Sequence, residues 1–430
     1  MMDTLDHLFR HEHGRLVAAL TRIFGMRNLA LAEDVTQDAL CRALEVWKIQ
    51  GLPDNPAAWL MSTAKRRALD LLRRERTART YAPEVARALE QDVDPARCVD
   101  ELLDSAAVQD DELRMMFSCC HPRLAEEVRV ALVLHLLCGF SVSEIAAAFL
   151  TGEEAIKKRI SRGKTLLANS RRLFELTRRD FAERLSSVHR ALYLLFNEGY
   201  HGASSEYAVR KELCDEAMRL GTLLCDNALT AVAETYALLA LMCLHAARLP
   251  ARVDAAGDFT VLIDQDRSRW DADLIADGQR LMDLSARGSV LSAYHVEAAI
   301  ASVHAAAPTV EQTPWATIVS FYDTLMRIRP SPVVALNRAL AIGQCDGPRR
   351  GLDEIARIAD SERLRSYPFY FAALGELELR AGQTHSAREN FRRALDLARN
   401  PMERRLLERR LSECTIQPQA LNGSRDRARG

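Results

Sequence analysis

The stretch from Ile156 to Leu167 carries cationic side chains at a spacing that suits nucleic-acid binding. At about 100° per residue, its polar members fall on one side of a helix: Lys157, Lys158, Ser161, Arg162 and Lys164. Its apolar members fall on the opposite side: Ile156, Ile160, Gly163 and Leu167. Lys and Arg bind phosphate oxygens and guanine acceptors. One face would therefore pack while the other contacts nucleic acid, although a merely solvated cationic face explains the same run.

Two short helices joined by a turn would position this cationic face. Ser141 is followed three residues later by Glu144, and Thr151 by Glu154, which is the spacing of a capping box at a helix start. The break between the two helices is short enough to hold them at a steep angle, as a helix-turn-helix requires. The apolar spacing from Val130 to Leu137 predicts a supporting helix before them.

A second cationic helix is predicted after the loop GLPDNP, with Asn55 as its N-cap and Pro56 at its first position. Its basic side chains include Lys65, Arg66, Arg67, Arg73 and Arg74. The preceding helix buries one stripe and presents a polar, largely acidic strip on its other face. That strip contains Asp34, Gln37, Asp38 and Glu45. Taken alone, an acidic strip of this kind indicates a solvated surface.

The composition favours an all-α protein without enzymatic chemistry. Ala, Leu, Arg and Glu dominate the 430 residues, and the formal net charge is -1, so nucleic-acid affinity must come from local patches. Cys119, Cys120 and His121 lack the paired spacing of a zinc site, and we expect reduced, mostly buried cysteines. Glu198 and His201 could be an acid–base pair, but packing of a helix junction explains them better. We expect no catalytic residue, metal or cofactor, and a cytoplasmic location because no signal or membrane segment is present.

Two blocks of sequence resemble the extracytoplasmic-function (ECF) sigma factors of the sigma-70 family. The segments AEDVTQDALCRALEVW, GLPDNP and AKRRALDLLRR, within residues 8–76, resemble sigma region 2. The segment HPRLAEEVRVALVLHLLCGFSVSEIAAAFLTGEEAIKKRISRGKTLL, within residues 110–172, is similar to region 4. One departure is Lys65-Arg66, which stands where many ECF members carry an Arg-Asn pair, so contacts of that asparagine do not carry over.

The resemblance implies core RNA polymerase and promoter DNA as partners and assigns the site residues. Core polymerase would bind Asp34, Gln37, Asp38 and Glu45. The minus-ten element would be held by Asn55, Lys65, Arg66, Arg67, Arg73 and Arg74. The minus-thirty-five element would be read by Glu153, Glu154, Lys157, Lys158, Ser161, Arg162 and Lys164, with the glutamates accepting from cytosine amines.

The chain continues well beyond the predicted region 4. Phe371, Gly375 and Phe391 lie at positions typical of a tetratricopeptide (TPR) repeat, and Ala341 precedes Gly375 by about 34 residues, one repeat length. We predict five segments: region 2 at 1–80, an acidic linker at 81–107, region 4 at 108–176, a TPR-like helical extension at 177–412 and a disordered tail at 413–430. The concave side of such a solenoid would bind a protein or another part of this chain.

Three hypotheses for the function follow. The first is an alternative sigma factor of the ECF type that directs promoter-specific initiation, with the extension as a regulator. The second is a free-standing helix-turn-helix transcription factor with a TPR sensor, which leaves the region 2 block without a role. The third is a TPR scaffold or a hydrolase built around Glu198 and His201. The promoter sequence, the inducing signal and the sign of the extension's effect are not encoded in recognisable motifs.

Overall fold

The structure, a computed structural model, describes residues 2–72, 105–149, 151–169, 176–201, 211–254, 258–398 and 401–422. These residues form helices joined by short turns, with one isolated bridge between Val253 and Phe259. The predicted all-α class is confirmed. The chain divides into two compact units, Met1–Glu198 with Glu212–Ala231, and Gly199–Lys211 with Val232–Gly430. None of the described helices is long and apolar enough to cross a membrane.

The first unit is built from nine helices in the described ranges. They are α1 Met2–Phe24, α2 Leu29–Gln50, α3 Pro56–Leu72, α4 Ser105–Cys119, α5 Glu126–Leu132, α6 Val142–Ala148, α7 Glu153–Asn169, α8 Arg178–His201 and α9 Lys211–Asp226. A π-helical turn, Val133–Leu137, follows α5 directly. The last residues of α8, from Gly199, belong to the second unit. Most of the predicted acidic linker, and Arg73 and Arg74, lie outside the described residues.

Helices α1, α2 and α3 share one apolar core. Leu20 of α1, Val35 and Ala39 of α2 and Leu60 of α3 are buried within it, at the helical spacing that the sequence shows. Gly25 (φ 81°) ends α1, because a positive φ is open to glycine at little steric cost. This core fixes which faces of α2 and α3 remain in solvent.

Helix α1 also packs against α4 and the π-helical turn. Gly14 meets this turn so closely that a Cβ atom at residue 14 would lie 2.0 Å from the carbonyl oxygen of Leu137. Arg22 Nη1 donates to Asp111 Oδ1 at 3.0 Å, and Asp111 is fully buried. The predicted regions 2 and 4 are therefore held together within one unit by a close backbone approach and a charged hydrogen bond.

Helices α8 and α9 complete the first unit by packing on α4. The rings of Phe181 and Phe117 lie 4.6 Å apart. Arg219 donates to Glu112 at 2.8 Å and to Glu216 at 2.9 Å, and both carboxylates are buried. Burial lowers the pKa of Arg219, but the attraction of Glu112 and Glu216 outweighs it, so the pKa is raised. A buried network of this kind is costly to break by removing one partner.

The second unit is a succession of helices in which each packs against the next. They are α10 Ala233–Ala246, α11 Ala272–Ser285, α12 Ala293–Ala306, α13 Trp315–Ile328, α14 Pro332–Cys345, α15 Pro348–Ala356, α16 Pro368–Arg380, α17 Thr384–Leu397 and α18 Pro401–Asn422. The helix α18 runs beyond residue 412, where we predict that the extension ends. The reason is its apolar face, which continues through Leu407 and Leu411 to the buried Cys414.

Helices α16 and α17 cross at a glycine. A Cβ atom at Gly375 would lie 2.9 Å from the ring of Phe391, which is buried together with Ala387 and Ala394. These are residues that the TPR prediction places at the contact between the two helices of one repeat. The close crossing agrees with that role, and the solenoid assignment itself stays a prediction.

Candidate nucleic-acid interface

The helix α7 has the two faces that its sequence predicts. Ile156, Ile160, Gly163 and Leu167 are all buried. Gly163 allows this close packing, since a Cβ atom there would lie 2.6 Å from a methyl group of Leu132 and the leucine would have to shift. The apolar face therefore seats α7 tightly on α5 and leaves its other face in solvent.

The turn before α7 differs in one detail from the prediction. The first helix, α6, begins with the expected capping box, because Glu144 N donates to Ser141 Oγ at 3.2 Å and Ser141 N donates to Glu144 Oε2 at 2.8 Å. At α7 the N-cap is Gly152, whose carbonyl accepts from Ala155 N at 3.0 Å. The helix begins at Glu153, one residue later than a Thr151 cap would require. A Cβ atom at Gly152 would meet nothing within 4 Å, so packing does not require a glycine at this position.

The exposed face of α7 carries Glu153, Glu154, Lys157, Lys158, Ser161 and Arg162. Lys157 Nζ donates to Glu154 Oε1 at 2.9 Å, and this hydrogen bond raises the pKa of the lysine. Lys158 and Arg162 make no ion pair with any residue that the structure describes. Two cations one helical turn apart are thus available for phosphates or base edges.

Lys164 is placed differently from the other cations of this face. Its ammonium lies 2.6 Å from Glu33 Oε1 and 2.8 Å from Oε2, with both side chains mostly buried. His135 Nε2 is 3.3 Å from the same carboxylate. Burial raises the pKa of Glu33, but the hydrogen bonds from His135 and Lys164 outweigh this and the pKa is lowered. Lys164 therefore ties α7 to the start of α2.

The basic face of α3 begins at the predicted cap. Asn55 Oδ1 accepts from Ala58 N at 3.0 Å, and α3 starts at Pro56, as the sequence predicts. Arg66 and Arg67 are exposed on the helix, and Lys65 is half-buried. Trp59 packs edge-on against Trp47 at 5.3 Å within the α1–α3 core, which agrees with the core role that we expect for it.

The polar strip of α2 is fully in solvent. Asp34, Gln37, Asp38 and Glu45 are exposed, and Asp38 Oδ2 accepts from Arg67 Nε at 2.9 Å. A candidate polymerase contact and a candidate DNA contact are thus paired with each other across α2 and α3. Both side chains are about half exposed, so the pair is weak and easily exchanged for other partners.

Exposed apolar side chains extend this strip, and they were not predicted from the sequence. Leu44 is 54% exposed, and Ile49 and Leu52, at the end of α2 and in the following loop, are 85% and 57% exposed. Leu44 comes about two helical turns after Gln37, so it borders the strip on that side. In the sequence, Leu44 is an apolar residue that does not fall on the buried stripe of α2. Large apolar residues beside acidic ones suit a protein-binding surface.

Nucleophilic and metal chemistry finds no support in the described residues. Six cysteines are buried, and burial raises the pKa of Cys120 to about 12, which keeps its thiol protonated. Mostly buried free cysteines are what the sequence predicts. No group of three or more His, Cys, Asp or Glu residues in the described ranges is arranged to hold a metal ion.

Two family models and several relatives match the parts of the chain that carry these surfaces. The model of sigma-70 region 2 matches residues 8–78, and that of sigma-70 region 4 matches residues 114–167. An ECF RNA polymerase sigma factor, SigK of Mycobacterium sp. (strain KMS), is 28% identical over 172 residues, which cover 39% of this chain and 83% of SigK. The ECF sigma factor SigX of Bacillus subtilis (strain 168) is 24% identical over 183 residues, 43% of this chain and 90% of SigX. The chain belongs to the ECF sigma factors of the sigma-70 family.

This sigma factor carries an additional region beyond region 4. Residues 184–286 match a family of unknown function, DUF6596. An uncharacterised protein of Rhizobium meliloti (strain 1021), R00370, is 38% identical over 404 residues, which cover 94% of both chains. A match of this length extends far beyond region 4, so at least one other protein shares most of the extension. No solved structure matches this chain.

Family membership fixes the general activity. Members of the sigma-70 family bind core RNA polymerase and promoter DNA and act in transcription initiation, without an enzymatic reaction of their own. In this sigma factor, region 2 comprises α1–α3 and region 4 comprises α4–α7. The acidic and cationic surfaces described above lie within these two regions.

Proposed function

We propose that the ECF sigma factor divides its work among three separate surfaces. The acidic strip of α2 binds core polymerase, α3 with its preceding loop holds the minus-ten element, and the exposed face of α7 reads the minus-thirty-five element. The observation that carries this proposal is the separation of charge. The strip of α2 presents carboxylates, whereas α3 and α7 present cations on faces that the cores leave in solvent.

The polymerase surface includes the missed apolar residues. Asp34, Gln37 and Glu45 provide charge and hydrogen bonding, and Leu44 provides apolar area at the edge of the same face, beside Gln37. Complementary charge accelerates association and fixes orientation, while burial of an aliphatic side chain contributes affinity. Asp38 joins this surface when its pair with Arg67 opens, which frees Arg67 for a phosphate.

The DNA surfaces follow the same reasoning. Lys158 and Arg162 have no competing carboxylate in the described structure, so we assign them the principal contacts of α7. Glu153, Glu154, Lys157 and Ser161 flank them, and Lys164 joins only when Glu33 releases it. On α3, Asn55, Lys65, Arg66 and Arg67 would contact the minus-ten strand. Arg73 and Arg74 keep their proposed phosphate-binding role from the sequence.

Charge reversal separates these roles. Asp34→Lys should weaken binding to core polymerase at least about tenfold, because a carboxylate in a complementary charged surface becomes repulsive. Glu127→Lys, which reverses an exposed carboxylate of α5, is the matched control and should bind normally. Lys158→Glu with Arg162→Glu should spare polymerase binding and abolish promoter-specific run-off transcription. Equal loss of polymerase binding in both sets would refute the assignment.

We further propose that the second unit regulates initiation through a protein or through another part of the chain, in the cytoplasm. Its test is a comparison of run-off transcription by the full chain and by a truncated chain. A truncated chain that ends near Arg179 would lack α8 and α9, and with them the contacts of Phe181 and Arg219 with α4. A chain of residues 1–231 keeps these contacts. Equal activity of the two chains at every promoter tested would contradict a regulatory role.

A further inference from the structure

Three arginines come together inside the second unit, and the promoter-binding role leaves them unexplained. Arg248 and Arg252 lie just after α10, and Arg267 begins a 3₁₀ turn at Arg267–Arg269. We call these residues the arginine cluster. Aromatic rings lie between them: the Arg252 guanidinium is 3.9 Å from the ring centroid of Tyr200, and those of Arg248 and Arg267 are 5.5 Å and 5.2 Å from Trp270.

The positive charge of the arginine cluster has no carboxylate partner among the described residues. Arg248 Nε donates to Gln265 Oε1 at 3.2 Å, and Gln265 is neutral. Arg267 donates to the carbonyl oxygens of His304 and Ala307 at 3.1 Å and 2.6 Å, and to Thr313 Oγ1 at 3.1 Å. The acidic group that acts on Arg267 electrostatically is the exposed Glu311, and no ion pair forms with it.

Other arginines of the same unit show how unusual this is. Arg329 pairs with Glu297, Arg338 with Asp323 and Glu354, and Arg410 with Asp264 and Glu376. The side chains of Arg329, Arg338 and Arg410 are 36%, 29% and 16% exposed, and each still has a carboxylate partner. Arg252 is only 5% exposed and has none. Buried charges in proteins are normally paired, because an unpaired one carries a large desolvation penalty.

Two groups at the arginine cluster have lowered pKa values. Burial and the repulsion of Arg252 and Arg267 lower the pKa of Arg248. Burial, with Arg248 and Arg267 nearby, lowers the pKa of His304 to about 3, so His304 is neutral. Neither neighbour relieves the excess positive charge.

Several buried polar atoms at the arginine cluster also lack partners. They are Arg252 Nε, Arg267 Nε, Trp270 Nε1 and His304 Nδ1. Three of them are obligatory N–H donors, and buried donors are rarely left unpaired. An oxyanion would supply both a negative charge for the arginines and acceptor atoms for these N–H donors.

We propose that the arginine cluster binds the phosphate group of a small molecule. An aromatic ring covers one face of each guanidinium group, and the Nη atoms of Arg267 already donate to protein oxygen atoms. The unpaired N–H groups of Arg252 Nε, Arg267 Nε and Trp270 Nε1 are therefore the donors left for phosphate oxygens. The burial of Arg252 favours a small ligand over a nucleic-acid backbone or a protein surface. Arg248 and Arg267 are partly exposed, whereas Arg252 is buried. This site is independent of promoter recognition by the first unit.

The first test measures thermal unfolding and hydrogen–deuterium exchange of the full chain in sodium phosphate and in sodium chloride of equal ionic strength. Saturating phosphate should raise the Tm of the second unit by about 2–8 °C, because a ligand that binds only the folded state stabilises it. Exchange should slow in peptides that contain Arg248, Arg252 and Arg267. No change in either measurement, with phosphate or with adenosine monophosphate, overturns the proposal.

A variant pair distinguishes a phosphate site from a structural one. Arg252→Met keeps much of the side-chain volume and removes the charge, and Arg287→Met is the matched control at an exposed arginine. Without its ligand, Arg252→Met should unfold at the same Tm as the wild type or higher, since an unpaired buried charge has been removed, and its response to phosphate should be lost. Arg287→Met should respond normally. A lower Tm in chloride together with an intact phosphate response would overturn the proposal.

Two further arms complete the design. If Arg252→Met does not fold, Arg267→Met, at a less buried position, provides the same test of the phosphate response. Adenosine monophosphate distinguishes the source of the phosphate: a response to both probes shows that the phosphate group alone suffices, and a response to the nucleotide alone shows that the rest of the ligand contributes. Each of these responses, if it is lost in the variant, supports the site.

Discussion

Two lysines of α7 form ion pairs, and their contributions should differ. The pair between Lys164 and Glu33, which joins α7 to α2, should have a much larger coupling energy than the pair between Lys157 and Glu154 within α7. The side chains of Lys164 and Glu33 are 28% and 17% exposed, and the ammonium contacts both carboxylate oxygens. Charged hydrogen bonds of this kind contribute about 1.5–3 kcal/mol. Lys157 and Glu154 are 53% and 77% exposed, and such a helix pair contributes about 0.3–0.5 kcal/mol.

A double-mutant cycle measures both couplings. The chains are Lys164→Met, Glu33→Gln and their combination, with Lys157→Met, Glu154→Gln and their combination as the control cycle. Native-state hydrogen exchange, read by mass spectrometry on peptides of α2 and α7, gives the free energy of opening for each helix separately. We expect a coupling energy of about 2 kcal/mol for the first cycle and less than about 0.5 kcal/mol for the second.

The coupling should also depend on pH. Because the pKa of Glu33 is lowered in the folded chain, its contribution is present above the ordinary pKa of a glutamate and is lost as the pH falls through the lowered value. A coupling energy for Lys164 and Glu33 no larger than that for Lys157 and Glu154 would refute our account of the contact. So would a coupling that grows on acidification.

Three other perturbations test separate parts of the fold. Burial, with a smaller effect of His135, lowers the pKa of His13 to about 4. Between pH 6.5 and 4 the unfolded chain therefore binds a proton that the folded chain does not, and the free energy of unfolding of the first unit should fall by about 3 kcal/mol on acidification. Urea unfolding at a series of pH values should show a smaller fall for His13→Gln. Asn55→Ala should destabilise the start of α3 by about 1 kcal/mol, while Asn55→Asp, which keeps the cap, should not; equal exchange rates of the α3 amides in both would contradict the cap. Gly375→Val should destabilise the second unit by about 1–3 kcal/mol, because the new Cβ atom would meet the ring of Phe391. Adding Phe391→Leu to the same chain should recover part of the lost Tm. An unchanged Tm for Gly375→Val alone would show that α16 and α17 cross less closely than described.

Periodicity is why so much of α7 could be predicted from the sequence. Ile156, Ile160 and Leu167 are buried because a helix seated on α5 must bury its apolar stripe, and that stripe is visible in the spacing alone. The same holds for Val35 and Ala39 of α2. The cap at Asn55 also follows from local chemistry, since an Asn before a Pro is a helix start in many sequences.

Contacts between distant residues could not be predicted in this way. Lys164 looks like any other cation of its face until Glu33, 131 residues away, is found beside it. Leu44 breaks the apolar stripe of α2, but periodicity alone does not show whether such a residue is covered by another helix or left exposed. The sequence does not show that the arginine cluster forms, since Arg248 and Arg267 come from separate segments that meet only at Trp270 in the fold. In each case the decisive fact is which groups the tertiary fold brings together.

The contact at Gly14 offers a way to separate regions 2 and 4 by design. The space that any other residue would need for its first side-chain carbon is occupied by the main chain at Leu137, so a single added methyl group acts as a wedge. Gly14→Ala would push the two regions apart without altering a polymerase-binding or DNA-binding side chain. Fluorophores on α3 and α7 would report the separation as a loss of energy transfer. The difference in promoter affinity between Gly14→Ala and the natural chain would then give, as a free energy, the effect of the contact between regions 2 and 4 on promoter binding.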